Sequence, residues 1–400
     1  MPPKAKEEPA IVNGGIRFGR VKSTLKMGIV GLPNVGKSSL FNLLTKTNLA
    51  DAQNFPFCTI EPNEARCAVP DERYDYLCDM WNPPSKFPAY LQVWDIAGLI
   101  RGASEGAGLG NKFLSHIGAV DGIFHMVRAF ENDAVQSVED TVDPIRDLDT
   151  ITFELCQKDL QLLAGAVSRE EKDVKKSPGS KLSGLFISTM EKVKKLLEAN
   201  RPVKDQEWST PEIELIKDKL PELVTTKPQV YLVNLTKTDF IRKKNKWLVP
   251  IHKWISEHGG GPMVPLSVEW EQEYEALTDP AEKAAFCSGT EGTPPLKSAL
   301  PRTIKEGFAC LDLIYFMTAG DKEVRCWTIP NGWTAPQAGG VIHGDMEKHF
   351  IKAEVVAYSD FKELQKSKGM SDVKAAGKYR IEGRTYVMQD GDIVYFQIGK

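Results

Sequence analysis

Short apolar runs separated by helical stretches dominate the first three quarters of the chain. Each run is bounded by glycine, proline or polar residues, which is typical of buried strands. Between them leucines recur at helical spacing, as Leu40, Leu43 and Leu44 do in the segment SLFNLLTK. Strands that alternate with helices predict a doubly wound α/β fold, a parallel sheet with helices on both faces. The predicted strands cover 27–30, 90–94, 122–127, 230–233 and 263–266.

The region 146–228 interrupts this alternation. Apolar residues keep a helical period on both sides of a polar turn at 176–184, so we expect an antiparallel helical hairpin, a coiled-coil-like arm inserted into the α/β domain. Between Lys158 and Lys204 there are 11 Lys/Arg and 6 Asp/Glu, an excess of five positive charges. That excess fits either a solvated helix face or a surface for RNA or a protein partner.

Beyond the α/β region, the chain contains several segments whose composition is typical of β-strands. Pieces such as EVRCWTIPNG and RTYVMQDGDIVYFQIG are separated by Gly and Asp turns, and Asp390-Gly391 is a dipeptide that favours hairpin turns. We therefore expect a small β-grasp-like domain over 304–390. Residues 1–22 are expected to form a mobile tail. The α/β domain is then left with 23–145 and 229–303.

Composition narrows the class of protein. The 400 residues are 42% hydrophobic with a net charge of −3, which excludes a largely disordered chain. Apolar runs stay below the ~18 residues that a membrane span requires, and the N-terminus lacks a secretory pattern. The seven cysteines are scattered without a Cys-x-x-Cys pair, which fits reduced thiols in the cytoplasm. No membrane partner is expected.

The strongest chemical signal is the segment GLPNVGKS from Gly31 to Ser38, which matches G-x-x-x-x-G-K-[ST]. It follows a predicted strand and opens a predicted helix, as a phosphate-binding P-loop must. Backbone amides and the helix N-terminus can surround a phosphate there. Lys37 is expected to contact the β- and γ-phosphates, and Ser38 to bind Mg²⁺. The nucleotide-binding residues predicted in this loop are Asn34, Val35, Gly36, Lys37, Ser38 and Ser39.

A second motif, Asp95-Ile-Ala-Gly98, ends the strand predicted at 90–94. This D-x-x-G pattern predicts a carboxylate on the magnesium side and a glycine that senses the γ-phosphate. The loop at 101–110 contains four glycines, so we expect it to be a switch loop. Thr59 lies between the two motifs, where a magnesium-binding switch threonine belongs.

Several motifs together carry a family resemblance. GLPNVGKS, NFPFCTIEPNE, DIAGLIRGASEGAGLGN and the C-terminal series FMTAGDKEVRCWTI, APQAGGVIH, KAAGKYR and DGDIV are similar to the Obg-like ATPases, the YchF subfamily of translation-factor-related P-loop NTPases. The resemblance implies a nucleotide domain, a helical arm and a C-terminal TGS domain. It further implies ribosome or ribosomal RNA binding through the arm and TGS domain, and Thr59 as the magnesium threonine. No DNA sequence readout is expected.

The base-reading motif has two frames. Ras-like proteins read guanine with [NT]-K-x-D, and the Obg-like ATPases carry N-x-x-E, with ATP preferred. Here the strand leads into Asn234-Leu235-Thr236-Lys237, so lysine replaces the family's glutamate, while the shifted frame Thr236-Lys237-Thr238-Asp239 fits the guanine pattern. We favour the first frame because the second would bury an asparagine within the strand. ATP is then the expected nucleotide, with GTP as the alternative.

The first frame assigns further residues to the base. By resemblance, the backbone of Leu235 would contact adenine and Asn234 would support the loop. Ser267, which follows the strand predicted at 263–266, is assigned to the same site. Asn34 resembles the potassium-binding asparagine of cation-activated relatives, in which a monovalent cation could neutralise charge between the phosphates where no arginine finger is present. Asn34 is equally expected as a loop residue that tolerates unusual backbone angles.

The residue that orients the attacking water is not given by the usual pattern. Leu99 follows D-x-x-G, where Ras has a glutamine, and it cannot hydrogen-bond water. His125 matches a histidine that the resemblance implies for this role, and a structural role on an apolar strand is an equal alternative. The predicted catalytic set is His125, Lys37 and Gly98, and the predicted metal set is Ser38, Thr59 and Asp95.

These patterns predict a Mg²⁺-dependent P-loop NTPase that hydrolyses ATP and acts as a nucleotide-controlled switch, and the resemblance implies that this switch is linked to ribosomes. Mg²⁺ is the expected cofactor, with K⁺ as a second ion. Three alternatives stay open. The first is a GTP-preferring regulatory GTPase, the second is a nucleotide-gated binding protein in which hydrolysis is incidental, and the third is a nucleotide kinase, which the D-x-x-G motif disfavours.

Overall fold

A computed structural model describes residues 25–49, 64–96, 116–131, 141–176, 181–288 and 295–399. Its first sheet has the strand order β2-β4-β1-β5-β6-β7. Strands β4, β1, β5, β6 and β7 run parallel to their neighbours, and β2 pairs antiparallel with β4 at one edge. The strands are β1 Lys26–Val30, β2 Glu64–Ala68, β4 Tyr90–Asp95, β5 Gly122–Arg128, β6 Gln229–Asn234 and β7 Met263–Leu266.

The five strands expected from the apolar runs are therefore confirmed. Strand β5 is buried at every position and β6 likewise, as parallel strands covered on both faces should be. Helices connect the strands or pack on the sheet. They are α1 Lys37–Leu49, α2 Glu72–Trp81, α6 Lys237–Arg242, α7 Leu248–Glu257, α8 Val268–Ala276, α9 Pro280–Cys287 and α10 Leu300–Cys310.

The region between β5 and β6 is helical, as the periodicity predicts. It contains α3 Pro144–Lys176, α4 Gly184–Glu198, a short 3₁₀ turn at Val203–Asp205 and α5 Thr210–Lys219. Ser183 caps α4 by accepting a hydrogen bond from the Phe186 amide. The two long helices pack on each other through their own apolar cluster, which includes Leu163, Ala166, Phe186, Met190, Val193 and Leu197.

The chain returns from this arm to β6 through a short segment at 224–228. Asp159, in the middle of α3 and fully buried, accepts hydrogen bonds from the amides of Val224 and Thr225 and from the Thr225 hydroxyl. Two residues later, the Lys227 ammonium donates to the carbonyls of Ile117, Gly118 and Val120. The return segment therefore contacts both the arm and the turn before β5.

A second sheet has the order β11-β10-β12-β8-β9-β3. Five of its strands come from the C-terminal region, and β3 comes from the first quarter of the chain and pairs parallel with β9. The strands are β3 Ser85–Phe87, β8 Leu313–Ala319, β9 Glu323–Pro330, β10 Phe350–Val356, β11 Arg380–Glu382 and β12 Ile393–Ile398. Short helices accompany them: α11 Ala335–Ile342, α12 Gly344–Lys348, α13 Tyr358–Leu364 and α14 Ser371–Ala375.

The turn at Asp390-Gly391 differs from the expected hairpin. Gly391 has φ +82°, as a turn glycine should, but β12 pairs antiparallel with β10 and parallel with β8 rather than with the residues just before the turn. The reason lies in long-range contacts. The Tyr315 amide donates to the Asp390 carboxylate, and the Gly391 amide donates to the Tyr315 carbonyl.

The two sheets share one hydrophobic core. A single cluster of buried side chains joins Met27 and Leu91 of the first sheet with Leu313 and Val324 of the second. Polar contacts reinforce this junction, because the Arg73 guanidinium in α2 pairs with Asp71 and with Asp390. None of the helices that the structure describes is long and apolar enough to cross a bilayer.

Candidate nucleotide site

The P-loop turns directly from β1 into α1. Asn34 has φ +61° and Gly36 has φ +103°, so both lie in the left-handed region that favours asparagine and glycine. A Cβ on Gly31 would lie 2.5 Å from the Met126 carbonyl oxygen, and one on Gly36 would lie 2.8 Å from the side-chain Nδ2 of Asn234. The loop therefore needs glycine at both positions, which explains the spacing in the motif. Ser39 is half-buried in the first turn of α1.

Lys37 lies at the start of α1 with its ammonium directed back into the loop. The side chain is buried, and its Nζ donates to the Leu32 carbonyl at 2.6 Å. Burial lowers the pKa of Lys37 to about 8, and the negative charge of Asp95 partly opposes this shift. A phosphate placed in the loop would raise that pKa again, because it supplies an opposite charge at short range.

Ser38 and Asp95 meet across the carboxyl ends of β1 and β4. The Ser38 hydroxyl donates to Asp95 Oδ2 at 3.0 Å. The other oxygen, Oδ1, is buried without a hydrogen-bond partner among the described residues. Burial raises the pKa of Asp95, and the Ser38 hydrogen bond and the Lys37 charge oppose this rise. A hydroxyl beside an unsatisfied carboxylate oxygen is a donor set that suits Mg²⁺.

Asn234 connects the P-loop to the helix after β7. Its side-chain Nδ2 donates to the Val35 carbonyl at 2.9 Å, and its Oδ1 accepts from the Val268 amide at 3.1 Å. The residue ends β6 and is only 4% exposed, so burial of this asparagine is satisfied by two partners. The structure therefore places Asn234 between the P-loop and α8, and its role in supporting the base-reading loop stays a prediction. Sequence reasoning missed Val268, because no side-chain pattern marks a backbone amide.

Leu235 and Ser267 lie beside this connection. The Leu235 amide donates to the Leu266 carbonyl at 2.8 Å, so the backbone group that Leu235 can offer to a base is its carbonyl. Ser267 is fully buried and caps α8, since its hydroxyl accepts from the Trp270 amide at 3.4 Å. Ser267 directly follows β7, so it lies at the carboxyl edge of the sheet, and its hydroxyl serves as the N-cap of α8.

The shifted guanine frame does not face the P-loop. Thr236 caps α6 by accepting from the Asp239 amide, and the Asp239 carboxylate accepts from the Asn245 side chain at 2.8 Å. Asp239 lines a separate cleft of about 580 Å³ together with Phe130 and Trp247. Of the two frames left open by the sequence, only the one that begins at Asn234 contacts the phosphate loop.

His125 lies away from the P-loop contacts. It is fully buried in the middle of β5, with its ring 5.5 Å from that of Tyr231. Burial lowers the pKa of His125 to about 4, a hydrogen bond with Gln229 opposes the shift, and the charge of Lys204 adds to it. Its neighbour Met126 is the residue of β5 that approaches Gly31 and Gly36. Because successive residues of a strand face opposite sides, this geometry favours the structural role for His125 over the water-positioning role.

Two expected site residues, Thr59 and Gly98, lie outside the described residues, as do Leu99, the switch loop expected at 101–110 and the tail expected at 1–22. Among the residues that the structure does describe, it brings together the P-loop, Asp95, Asn234, Leu235 and Ser267 at the carboxyl edge of the sheet. This edge is where open α/β sheets bind ligands.

Comparison with protein families divides the chain into two matched parts. Residues 26–161 match the model described as a 50S ribosome-binding GTPase. Residues 313–399 match the model of the C-terminal domain of YchF GTPases, which is described as a protein of unknown function. The first match contains the P-loop and Asp95, and the second contains most of the second sheet.

Individual relatives match almost the whole length. The chain is 50% identical to Obg-like ATPase 1 of Oryza sativa subsp. japonica over 397 residues, which cover 99% of this chain and 98% of that protein. It is 50% identical to Obg-like ATPase 1 of Homo sapiens over 384 residues, covering 95% and 94%. The solved structure of the Schizosaccharomyces pombe YchF GTPase superposes with a TM-score of 0.81 at 42% identity, covering 96% of this chain and 100% of that one. With this site, this fold and these relatives, the chain belongs to the Obg-like ATPases of the YchF type, a family of P-loop nucleotide hydrolases.

Proposed function

We propose that this protein is a Mg²⁺-dependent ATPase that cleaves the β–γ phosphate bond by attack of water and uses the nucleotide state as a switch. The observation that carries the proposal is the Ser38–Asp95 contact. A hydroxyl and a carboxylate with one unsatisfied oxygen lie next to the buried Lys37 ammonium. A triphosphate with its metal ion would supply the partners that these three groups need.

Each residue has a separate task in this proposal. The P-loop amides and Lys37 hold the phosphates, and Lys37 offsets the charge that develops on them during transfer. Ser38 and Asp95 would hold Mg²⁺, which would supply positive charge that offsets the negative charge of the phosphates. On sequence grounds, Thr59 is a further proposed ligand of Mg²⁺, and Gly98 is proposed to sense the γ-phosphate. K⁺ rests on the position of Asn34 alone, whose exposed side chain and left-handed backbone fit a loop residue equally well.

ATP is the proposed substrate because the loop after β6 lacks a carboxylate for guanine. Lys237 stands at the fourth position of the frame that contacts the P-loop, and an ammonium cannot accept the hydrogens on N1 and N2 of guanine. Asp239 supplies the carboxylate of the other frame, but it accepts a hydrogen bond from the Asn245 side chain. GTP remains the alternative nucleotide.

The proposed partner is the ribosome or its RNA, in the cytoplasm. The arm carries five more positive than negative charges between Lys158 and Lys204, which suits an RNA surface. The family description of the N-terminal match names a 50S ribosome-binding GTPase. We propose that the arm over 146–228 and a TGS-type domain over 304–390 dock on that assembly, while 23–145 and 229–303 bind the nucleotide.

The test is titration calorimetry of the Mg²⁺-loaded protein with ATP and GTP in parallel. Binding of ATP is expected, and Lys37→Ala should weaken it by about 100-fold because a buried charged contact is removed. Lys46→Ala is the matched control, since Lys46 is an exposed lysine of the same helix and should bind as the wild type does. No heat with either nucleotide would overturn the proposal.

A second function is favoured by the return segment. Asp159 and Lys227 connect the arm to the turn before β5, so nucleotide-gated association with a partner is the alternative, with hydrolysis incidental. Cosedimentation with ribosomes in a non-hydrolysable ATP analogue and in ADP tests whether association depends on the nucleotide state. Equal association in both states would count against a nucleotide-gated role.

A further inference from the structure

The loop after β6 is attached to helix α8 at both of its ends. At the first end, Asn234 accepts a hydrogen bond from the Val268 amide in the first turn of α8. At the other end, the Lys237 ammonium forms an ion pair with the carboxylate of Glu273, a residue further along the same helix. The four residues 234–237 are therefore held against α8 rather than by the P-loop alone.

The Lys237–Glu273 pair lies at the surface of this contact. Lys237 is 32% exposed and Glu273 is 44% exposed. The Lys237 ammonium also lies 5.3 Å from the centre of the Phe286 ring. Pairs this exposed contribute little to the free energy of unfolding, because water and salt screen them. A change in this pair can therefore move the loop after β6 with little effect on the free energy of unfolding.

The ion pair can affect the bound base because Leu235 lies between the two points at which the loop is attached to α8. The Leu235 amide already donates to the Leu266 carbonyl. The backbone group of Leu235 that could contact a base is therefore its carbonyl. A carbonyl accepts from an exocyclic amine only if the loop holds it at hydrogen-bond distance. Movement of the loop away from α8 would displace that acceptor while leaving the P-loop contacts to phosphate intact.

We propose that the Lys237–Glu273 ion pair is a clamp that positions the base-side wall of the nucleotide site. The clamp rests on the proposed nucleotide-binding function. Lys237 acts here through Glu273 and the loop backbone, as a positioning residue that is not itself required to touch the base. The clamp needs opposite charges at positions 237 and 273. We therefore expect a reversed pair, with glutamate at 237 and lysine at 273, to hold the loop equally well.

Charge reversal tests the clamp. Lys237→Glu and Glu273→Lys each place like charges together, and the double variant restores an opposite-charge pair in the reverse order. Calorimetric titration with Mg²⁺-ATP should give a Kd about 3- to 10-fold weaker for each single variant, and a value within about twofold of the wild type for the double variant. The melting temperature of the nucleotide-free protein should change little in all three.

The matched control is the Lys246–Glu131 pair, which joins the segment between α6 and α7 to the loop after β5 at 2.9 Å and is exposed at both side chains. Lys246→Glu should leave the Kd for ATP unchanged. Singles that bind ATP as tightly as the wild type, or a double variant as weak as the singles, would overturn the clamp. A wild-type protein that binds no nucleotide would instead overturn the proposed function, so the two failures are distinguishable.

Discussion

Asn234 shows what a buried amide can do at the end of a strand. Its nitrogen donates to Val35 and its oxygen accepts from Val268, so one side chain satisfies groups from two loops. Aspartate there would place two acceptors where one donor is needed, and leucine would leave a buried amide and a buried carbonyl without partners. The identity of this residue follows from both contacts together.

His125 illustrates the limit of residue-type reasoning. A histidine near a P-loop suggests chemistry, and nothing in the letters FHMV says which face of β5 it occupies. The alternation along the strand decides this, since Met126 faces the P-loop and His125 faces Tyr231. The placement of Lys37 and Ser38 at the start of α1 follows from the spacing of the motif alone, whereas the face of β5 that His125 occupies does not.

The burial of His125 predicts a pH dependence of stability. Its folded-state pKa of about 4 lies below the ordinary 6.5, so the unfolded chain binds the proton more tightly. The contribution of the neutral ring is complete above pH 6.5 and is lost as the pH falls towards 4. Between pH 7.5 and pH 5.0, urea unfolding should show the wild type losing about 2 kcal/mol more than His125→Gln.

The same variant separates the structural role from the catalytic one. His125→Gln should hydrolyse ATP within about threefold of the wild-type rate at pH 7.5, because the His125 ring faces Tyr231 rather than the P-loop. Loss of a general base typically costs 10²-fold or more. A rate that falls a hundredfold with unchanged nucleotide affinity would return His125 to the water-positioning role.

At the scale of elements, the apolar runs predicted β1, β5 and β6 because these strands are buried at nearly every position. Strand β2 was missed because it lies at the sheet edge, where buried and half-buried residues alternate over only five residues. Strand β3 was missed because three residues carry no periodic signal, and its partner β9 lies in the C-terminal region. Long-range pairing of this kind cannot be inferred from local pattern.

The return segment at 224–228 is the element that connects the arm to the sheet. Lys227→Met keeps the length and apolar stem of the side chain but removes the donor to the carbonyls of Ile117, Gly118 and Val120. Leaving buried carbonyls without a partner should lower the free energy of unfolding by about 2–4 kcal/mol. Hydrogen exchange of the amides near 117–120 should become faster than in the wild type.

Lys253→Met is the control for that prediction. Lys253 forms an exposed ion pair with Glu257 on α7, so its loss should change stability by no more than about 0.5 kcal/mol. Equal protection of 117–120 in the Lys227→Met variant and the wild type would mean that the three carbonyls find other partners, and that the segment does not connect the arm to this turn.

At the scale of the whole molecule, the two sheets form one structural unit rather than two separate ones. The buried cluster that contains Met27 and Leu91 also contains Leu313 and Val324. Helix α2 lies between the sheets and buries Tyr74, Leu77, Cys78 and Trp81. The sequence predicted both a nucleotide region and a C-terminal β-rich region. It did not predict that they share a core, because that depends on which apolar faces meet.

Removal of residues 313–400 tests this shared core. The deletion would take away the partner of β3 and the residues of β8 and β9 that cover α2, exposing apolar side chains that the full chain buries. The nucleotide region alone should therefore lack a cooperative thermal transition and should precipitate or bind a hydrophobic dye. As a control, Tyr395→Ala in the full chain removes a side chain that is 67% exposed and should melt as the wild type does. A truncated chain that unfolds in one sharp transition and binds Mg²⁺-ATP with wild-type affinity would show that the core of the first sheet is complete without the second.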